Sequence, residues 1–156
     1  MQPPALSPVL GRLDALVGEW DMEASVGGQV VGYGRTSFEW LAGEPFLIQR
    51  ADGEPAESAP PEWVTNSPFP VTTIFGLDDT SENFSMLYAD ARGVFRVYQM
   101  TLADDVWTMW RNAPGFHQRF IGTFVDSGNT IEARWDGSRD GSSWKLDFYV
   151  TYTRVR

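Results

Sequence analysis

Residues 117–135 read HQRFIGTFVDSGNTIEARW, and this stretch decides the fold class. From 117 to 125 the side chains alternate with period two, which is typical of a β-strand that buries one face. Residues 126–129 supply the Asp, Ser, Gly and Asn that tight turns favour. Residues 130–135 then resume the strand pattern. The stretch therefore predicts an antiparallel β-hairpin.

The same pattern recurs along most of the chain. Ten strands are predicted, at residues 20–26, 30–41, 46–51, 71–77, 84–89, 94–102, 106–111, 117–125, 130–135 and 144–155. No crossover helices separate them, which excludes parallel β-α-β units. We expect closure rather than a sandwich because a closed barrel leaves no exposed strand edge. The prediction is an all-β protein: one domain, residues 1–156, forming a closed antiparallel up-and-down barrel of about ten strands.

One short helix is predicted before the first strand. Between residues 8 and 17 the apolar side chains recur at spacings of three and four. Ser7 is suited to the N-cap, Pro8 to the first helical position, and Gly18 ends the pattern. We expect this amphipathic helix to plug one end of the barrel.

The two ends of the strand region carry a recognisable pair of residues. Trp20 follows Gly18-Glu19 at the start of the first strand, and Arg154 lies at the end of the last. A guanidinium stacked on an indole contributes about 0.5–2 kcal/mol and donates hydrogen bonds to nearby carbonyls. This arrangement is similar to the lipocalin and wider calycin pattern. The resemblance implies that Trp20 and Arg154 close the bottom of the barrel.

A broader resemblance covers most of the chain from Gly18 onward. It rests on five runs, GRTSFEWLAGEPFLIQR (34–50), RGVFRVYQM (92–100), VWTMWR (106–111), QRFIGTFVDSGNTIEARW (118–135) and DFYVTYTRV (147–155). These runs resemble a family of uncharacterised bacterial lipocalin-like proteins, with a layout similar to the nitrobindin and fatty-acid-binding barrels. The resemblance implies a barrel with a cavity and no established reaction. Nitrobindin-type barrels hold haem through a His near the C-terminal strands, but residues 147–156 contain no His.

Composition excludes several classes of function. The absence of Cys excludes disulfides and thiolate chemistry, and a single His argues against zinc. The net charge of −9 argues against nucleic acid and anionic membranes as partners. No apolar run approaches the ~20 residues of a membrane helix, and the N-terminus does not resemble a signal peptide. We expect a cytoplasmic protein without metal or cofactor whose partner is a small molecule; a homodimer is left open.

The aromatic residues, 14% of the chain, supply most candidate binding residues. Residues 52–70 hold five of the ten prolines, as expected either of a lid whose Trp63 and Phe69 cover the barrel mouth or of a surface excursion anchored by them. The candidate ligand-binding residues are Trp40, Trp63, Phe69, Tyr88, Tyr98, Trp110, Gln118, Phe120 and Phe148. The residues assigned to the inner face of the last strand are Trp144, Leu146, Phe148, Val150 and Tyr152. For residues 106–111 both faces remain open.

His117, the single histidine, is the candidate catalytic residue. A neutral imidazole at a barrel rim is usable as a general base near neutral pH, although it equally suits an ordinary hydrogen bond. The leading hypothesis is binding of a small hydrophobic or amphipathic ligand in the barrel. The alternative is a cofactor-independent isomerase, cyclase or hydrolase in the same cavity. A third is haem binding by a non-standard ligand.

Overall fold

The computed structural model describes residues 7–156, which form a closed barrel of ten antiparallel strands. The strands are β1 (Gly18–Val26), β2 (Gln29–Trp40), β3 (Leu47–Pro55), β4 (Val71–Leu77), β5 (Phe84–Asp90), β6 (Phe95–Ala103), β7 (Val106–Arg111), β8 (His117–Val125), β9 (Thr130–Ser138) and β10 (Lys145–Arg154). Each strand pairs with its neighbours in sequence, and β1 also pairs with β10. The predicted fold class is confirmed. Residues 1–6 of the predicted domain lie outside the described residues.

Helical structure in the described residues is limited to short segments. They are an N-terminal 3₁₀ helix (Pro8–Ala15), α1 (Pro61–Thr65) and a second 3₁₀ turn (Asp126–Gly128). The Ser7 hydroxyl accepts a hydrogen bond from the Val9 N–H, so Ser7 is the N-cap. Leu13 and Leu16 are fully buried. This helix therefore plugs one end of the barrel, as predicted.

The closed end of the barrel is a packed core. Side chains from the 3₁₀ helix, from its C-cap residue Leu16 and from all ten strands fill it: Leu13, Leu16, Trp20, Phe38, Leu47, Phe75, Phe84, Met100, Leu102, Trp107, Phe124, Ile131 and Tyr152. Burial of a large apolar side chain contributes about 1.5–3 kcal/mol. The Trp107 ring contacts the Phe120 ring edge-on with centroids 4.7 Å apart. The closed end is thus filled with side chains, and the open space inside the barrel lies at the other end.

The seam between β1 and β10 is fastened by Arg154. Its Nη1 donates to the Val17 carbonyl at 2.6 Å and its Nη2 to the Ala15 carbonyl at 2.9 Å. Its guanidinium carbon lies 4.1 Å from the centroid of the Trp20 ring, and these two residues pair directly in the sheet. The Trp20 Nε1 donates to the Leu16 carbonyl at 2.9 Å. One side chain therefore ties the first strand, the last strand and the helix together.

A β-bulge in β10 corrects the inner face assigned from sequence. The pairing with β9 shifts between Leu146 and Phe148, and an extra residue inverts the alternation before it. Trp144 lies on the outside, where the Arg119 guanidinium carbon is 4.1 Å from its ring centroid, and Leu146 is 37% exposed. Asp147, at the bulge, borders the cavity mouth and remains exposed.

The structure shows which face of β7 points into the barrel, a question that the sequence leaves open. Trp107 and Met109 are buried inside the barrel, whereas Thr108 and Trp110 lie on its outer face. Within residues 7–156, no helix has both the length and the apolar character needed to cross a membrane.

Candidate functional site

A cavity of about 410 Å³ occupies the end of the barrel away from the N-terminal helix. Half of the residues that line it are aromatic or Met: Met22, Trp63, Phe69, Met86, Tyr88, Tyr98, Trp107, Met109, Phe116, Trp135, Phe148 and Tyr152. The volume falls within the roughly 300–1,000 Å³ of small-molecule sites, and such sites are predominantly apolar with a few placed polar groups. This cavity is the candidate functional site.

The mouth of the cavity is spanned by residues 56–70, called here the mouth loop. The ring of Trp63 in α1 contacts the Phe148 ring edge-on, with centroids 5.2 Å apart. The Phe69 ring packs so closely on Gly53 that a Cβ there would lie 2.9 Å from it. Because Trp63 and Phe69 both line the cavity, the mouth loop supplies part of the wall itself.

A hydrogen-bonded cluster ties the mouth loop to the β5–β6 turn. The Asp90 carboxylate is fully buried and accepts from the Tyr88 hydroxyl at 2.7 Å and from Arg92 Nη2 at 2.7 Å. Arg92 Nη1 in turn donates to the Asn66 carbonyl in the mouth loop at 3.4 Å, and the Ala91 N–H donates to the Pro68 carbonyl at 3.0 Å.

Burial and hydrogen bonding act in opposite directions on this cluster. Burial alone would raise the pKa of Asp90, but hydrogen bonds from Arg92, Tyr88 and backbone N–H groups outweigh it and lower the pKa to about 2. Burial, together with the bond to Asp90, raises the pKa of Tyr88. Asp90 is therefore a charged acceptor held in place at neutral pH.

A second set of polar groups forms a chain of hydrogen bonds along the cavity wall. The Thr36 hydroxyl donates to the Arg50 carbonyl at 3.1 Å and accepts from Gln49 Nε2 at 3.1 Å. The Gln49 Oε1 accepts from the Thr73 hydroxyl at 2.8 Å. Since the Thr36 proton is committed to a backbone carbonyl, the Gln49 amide is fixed in one orientation. One amide N–H of Gln49 remains without a partner in this chain of hydrogen bonds.

A third polar group lies where β6, β7 and β8 meet the mouth. The Tyr98 hydroxyl donates to Gln118 Oε1 at 2.6 Å. Burial raises the pKa of Tyr98, while the guanidinium groups of Arg96 and Arg111 oppose that rise. The Arg96 guanidinium carbon lies 5.2 Å from the Phe116 ring centroid. Two cations thus face a buried hydroxyl on one side of the mouth.

Two further titratable groups reach the cavity from β10. Tyr152 is 7% exposed, and burial raises its pKa. The pKa of Asp147 is also raised, mainly because neighbouring side chains remove water from its carboxyl group and also because Asp136 is negatively charged.

The structure brings together six of the nine candidate ligand-binding residues. Those lining the cavity are Trp63, Phe69, Tyr88, Tyr98, Gln118 and Phe148. Phe120 is buried below the cavity, with its ring centroid 4.9 Å from that of Trp135. Trp40 lies at the closed end, where its Nε1 donates to Asp14 at 2.9 Å. Trp110 lies on the outer face beside Val97 and Gln99.

His117 lies outside the cavity. It pairs with Ser138 and alternates with the inward-facing Gln118, so its side chain is on the outer face of β8. Its ring lies beside the β9–β10 turn, where a Cβ on Gly141 would be 3.5 Å from the His117 Nε2. This position separates the single imidazole from the acids and tyrosines of the cavity.

Several cavity residues were not among the candidates. Four of them lie at inward positions on strands whose inner face the period-two alternation indicates: Gln49, Thr73, Met86 and Arg96. The alternation could therefore have identified them. It gave no signal for Asp147, because the position of this residue at the cavity mouth depends on the bulge. Within residues 7–156, no three His, Cys, Asp or Glu side chains are grouped so as to hold a metal ion.

Comparison with known proteins identifies the fold and nothing finer. No family model and no curated protein matches the chain. Fourteen chains of solved structures match it, among them Rv2717c from M. tuberculosis, with a TM-score of 0.57 and 16% sequence identity. The match covers 97% of this chain and 100% of Rv2717c. The comparison thus shows that this chain shares its fold with Rv2717c.

Proposed function

We propose that the protein binds a small apolar or amphipathic molecule in the barrel cavity, beneath the mouth loop. The observation that carries this proposal is the cavity of about 410 Å³, half of whose lining residues are aromatic or Met. Each 100 Å² of apolar ligand surface that enters such a cavity contributes about 2.5 kcal/mol before the costs of association. A ligand of moderate size can therefore bind without covalent or metal contacts.

The cavity favours binding over catalysis. A general base must lie within reach of the proton that it accepts from the substrate. His117 lies on the outer face of β8, away from the cavity. Asp90 is buried and committed to Tyr88 and Arg92. The same position of His117 gives no support to haem coordination by an imidazole. We therefore propose neither the enzymatic nor the haem-binding alternative.

A neutral fluorescent probe tests the proposal. N-phenyl-1-naphthylamine should bind the wild-type protein with a saturable rise in fluorescence at about one probe per chain. Filling the cavity by Ala51→Phe should weaken that binding at least tenfold, because Ala51 is buried and lines the cavity.

The matched control is Ala89→Phe, on an exposed position of β5. It adds the same ring outside the barrel and should leave probe affinity unchanged. Non-saturable fluorescence, or equal weakening by both substitutions, would refute binding inside the barrel.

A further inference from the structure

Arg96 lies at the cavity mouth without an ionic partner. No carboxylate among residues 7–156 lies within 4.0 Å of its guanidinium group or of that of Arg111. The neighbouring Arg92, in contrast, is paired with Asp90 at 2.7 Å. In a chain of net charge −9, two uncompensated guanidinium groups on one side of a cavity mouth form a local site for an anion.

The amides of the cavity add hydrogen-bond donors to these cations. The Gln118 Oε1 is occupied by the Tyr98 hydroxyl, and the Gln49 Oε1 by the Thr73 hydroxyl. Both oxygens are therefore turned to partners within the wall. In these two amides the groups that remain for a ligand are N–H donors, the Gln118 Nε2 and one hydrogen of the Gln49 Nε2; the Trp107 Nε1, buried in the same cavity without a partner in the described part of the chain, is also a donor. Such a wall complements a ligand that carries hydrogen-bond acceptors.

The acids at the mouth lie on the other side. Asp147 is on β10, four strands from β6 in the barrel order, which corresponds to an arc of about 19 Å at ~4.8 Å per strand. Glu62 precedes Trp63, whose ring packs on Phe148 of β10. The mouth thus has a cationic side at β6 to β8 and an acidic side at β10.

We propose that the ligand is an amphipathic carboxylate whose head group binds Arg96 and Gln118, with Arg111 adding positive charge. This inference rests on the proposed function, since it places the apolar part of the same molecule in the cavity. A guanidinium group presents parallel N–H donors that match the two oxygens of a carboxylate. The Phe116 ring beside Arg96 restricts the guanidinium group on one face and leaves its edge for the ligand.

Competition between two ligands with the same ring system tests the head group. The ligands are 2-naphthoate, which is ionised at pH 7, and the neutral 2-naphthylmethanol. The affinity of each is measured by titrating it against bound N-phenyl-1-naphthylamine. The wild-type protein should bind the carboxylate at least tenfold more tightly than the alcohol, as expected for a charge-assisted hydrogen bond. Arg96→Gln should abolish that preference and leave the affinity for the alcohol unchanged.

Arg12→Gln is the matched control, since Arg12 is exposed on the N-terminal helix at the closed end. It removes the same charge and should preserve the preference for the carboxylate. Equal affinity of the wild type for both ligands, or a preference that survives Arg96→Gln, would overturn the inference while leaving the proposed cavity binding intact. Failure of the neutral probe to bind would instead refute the proposed function.

Discussion

Gly18 and Arg154 illustrate how single residues determine the closure of the barrel. Gly18 has φ +134°, and a Cβ there would collide with the Arg156 carbonyl oxygen and with the Arg154 guanidinium group. Only glycine leaves the space in which Arg154 reaches the carbonyls of residues 15 and 17. The Gly-x-Trp pattern is therefore a steric requirement of the seam.

Arg154→Ala should destabilise the protein by about 2–3 kcal/mol. The change removes the cation–π contact with Trp20 and the donors of two short hydrogen bonds to backbone carbonyls. Urea unfolding followed by Trp fluorescence measures the loss. Arg156→Ala is the control, because the ion pair of Arg156 with Glu19 is exposed on the Arg156 side and should contribute much less to stability than the contacts of Arg154. Equal losses in both variants would contradict the role given to Arg154.

Asp90 should make stability depend on pH in the acid range. Its pKa of about 2 in the folded protein lies below the ordinary 3.8, so the folded state binds fewer protons between these values. Its stabilising contribution is therefore complete above about pH 4 and is lost as the pH falls towards 2. Asp90→Asn should cost about 1–3 kcal/mol at pH 7 and flatten the pH dependence between pH 4 and 2, measured by urea unfolding at each pH.

The control for Asp90 is Asp79→Asn. Asp79 lies exposed in the β4–β5 turn, where its carboxylate accepts a hydrogen bond from the Thr80 hydroxyl at 3.3 Å. That variant should keep the wild-type slope. If Asp90→Asn also kept it, the network with Tyr88 and Arg92 would not be the origin of the acid sensitivity.

We expect helix α1 to contribute more to retention of the proposed ligand than to folding. Trp63→Ala should weaken binding of N-phenyl-1-naphthylamine by about tenfold and raise its dissociation rate, because Trp63 forms wall and cover at once. Its effect on the unfolding free energy should be smaller than that of Arg154→Ala. Val64→Ala is the control within the same helix, since Val64 is 58% exposed and should leave binding unchanged. Stopped-flow displacement of the bound probe measures the dissociation rate directly.

The strands were predictable because period-two alternation and turn residues are local properties. Residues 117–125 match β8 to the residue, and the turn at 126–129 lies where the Asp, Gly and Asn predict it. The bulge before Phe148 was not predictable, since it depends on the pairing of β10 with β9. The N-terminal segment follows a helical pattern but adopts 3₁₀ hydrogen bonds, such as Leu16 N–H to the Leu13 carbonyl at 3.0 Å.

The candidate site was predictable in part for the same reason. Alternation places Tyr98 and Gln118 on inward faces, and the structure brings them together. An aromatic side chain, however, is equally suited to a cavity wall, a packed core or an outer face. Trp40 and Trp110 show this: the first donates a hydrogen bond to Asp14 at the closed end, and the second lies outside on β7. The distinction requires the strand register.

The barrel is packed with side chains at one end and encloses a cavity at the other. The packed half adjoins the N-terminal helix and contains the fully buried Trp20, Phe75 and Leu47. The half with the cavity lies beneath the mouth loop and forgoes packing that would otherwise stabilise the fold. Closure of the seam and the dense core must therefore supply the stability that permits an open cavity.

The division into two halves predicts that the same substitution costs much more stability at one buried alanine than at another. Ala51 is 6% exposed and borders the cavity, whereas Ala133, also 6% exposed, packs in the core cluster. Ala133→Phe should destabilise the protein by about 2 kcal/mol or more, because a close-packed core has no room for the ring. Ala51→Phe should change stability by less than about 1 kcal/mol, because its ring enters space that a ligand would fill. Urea unfolding of both variants without ligand measures the difference, and an equal loss would show that the interior is packed throughout.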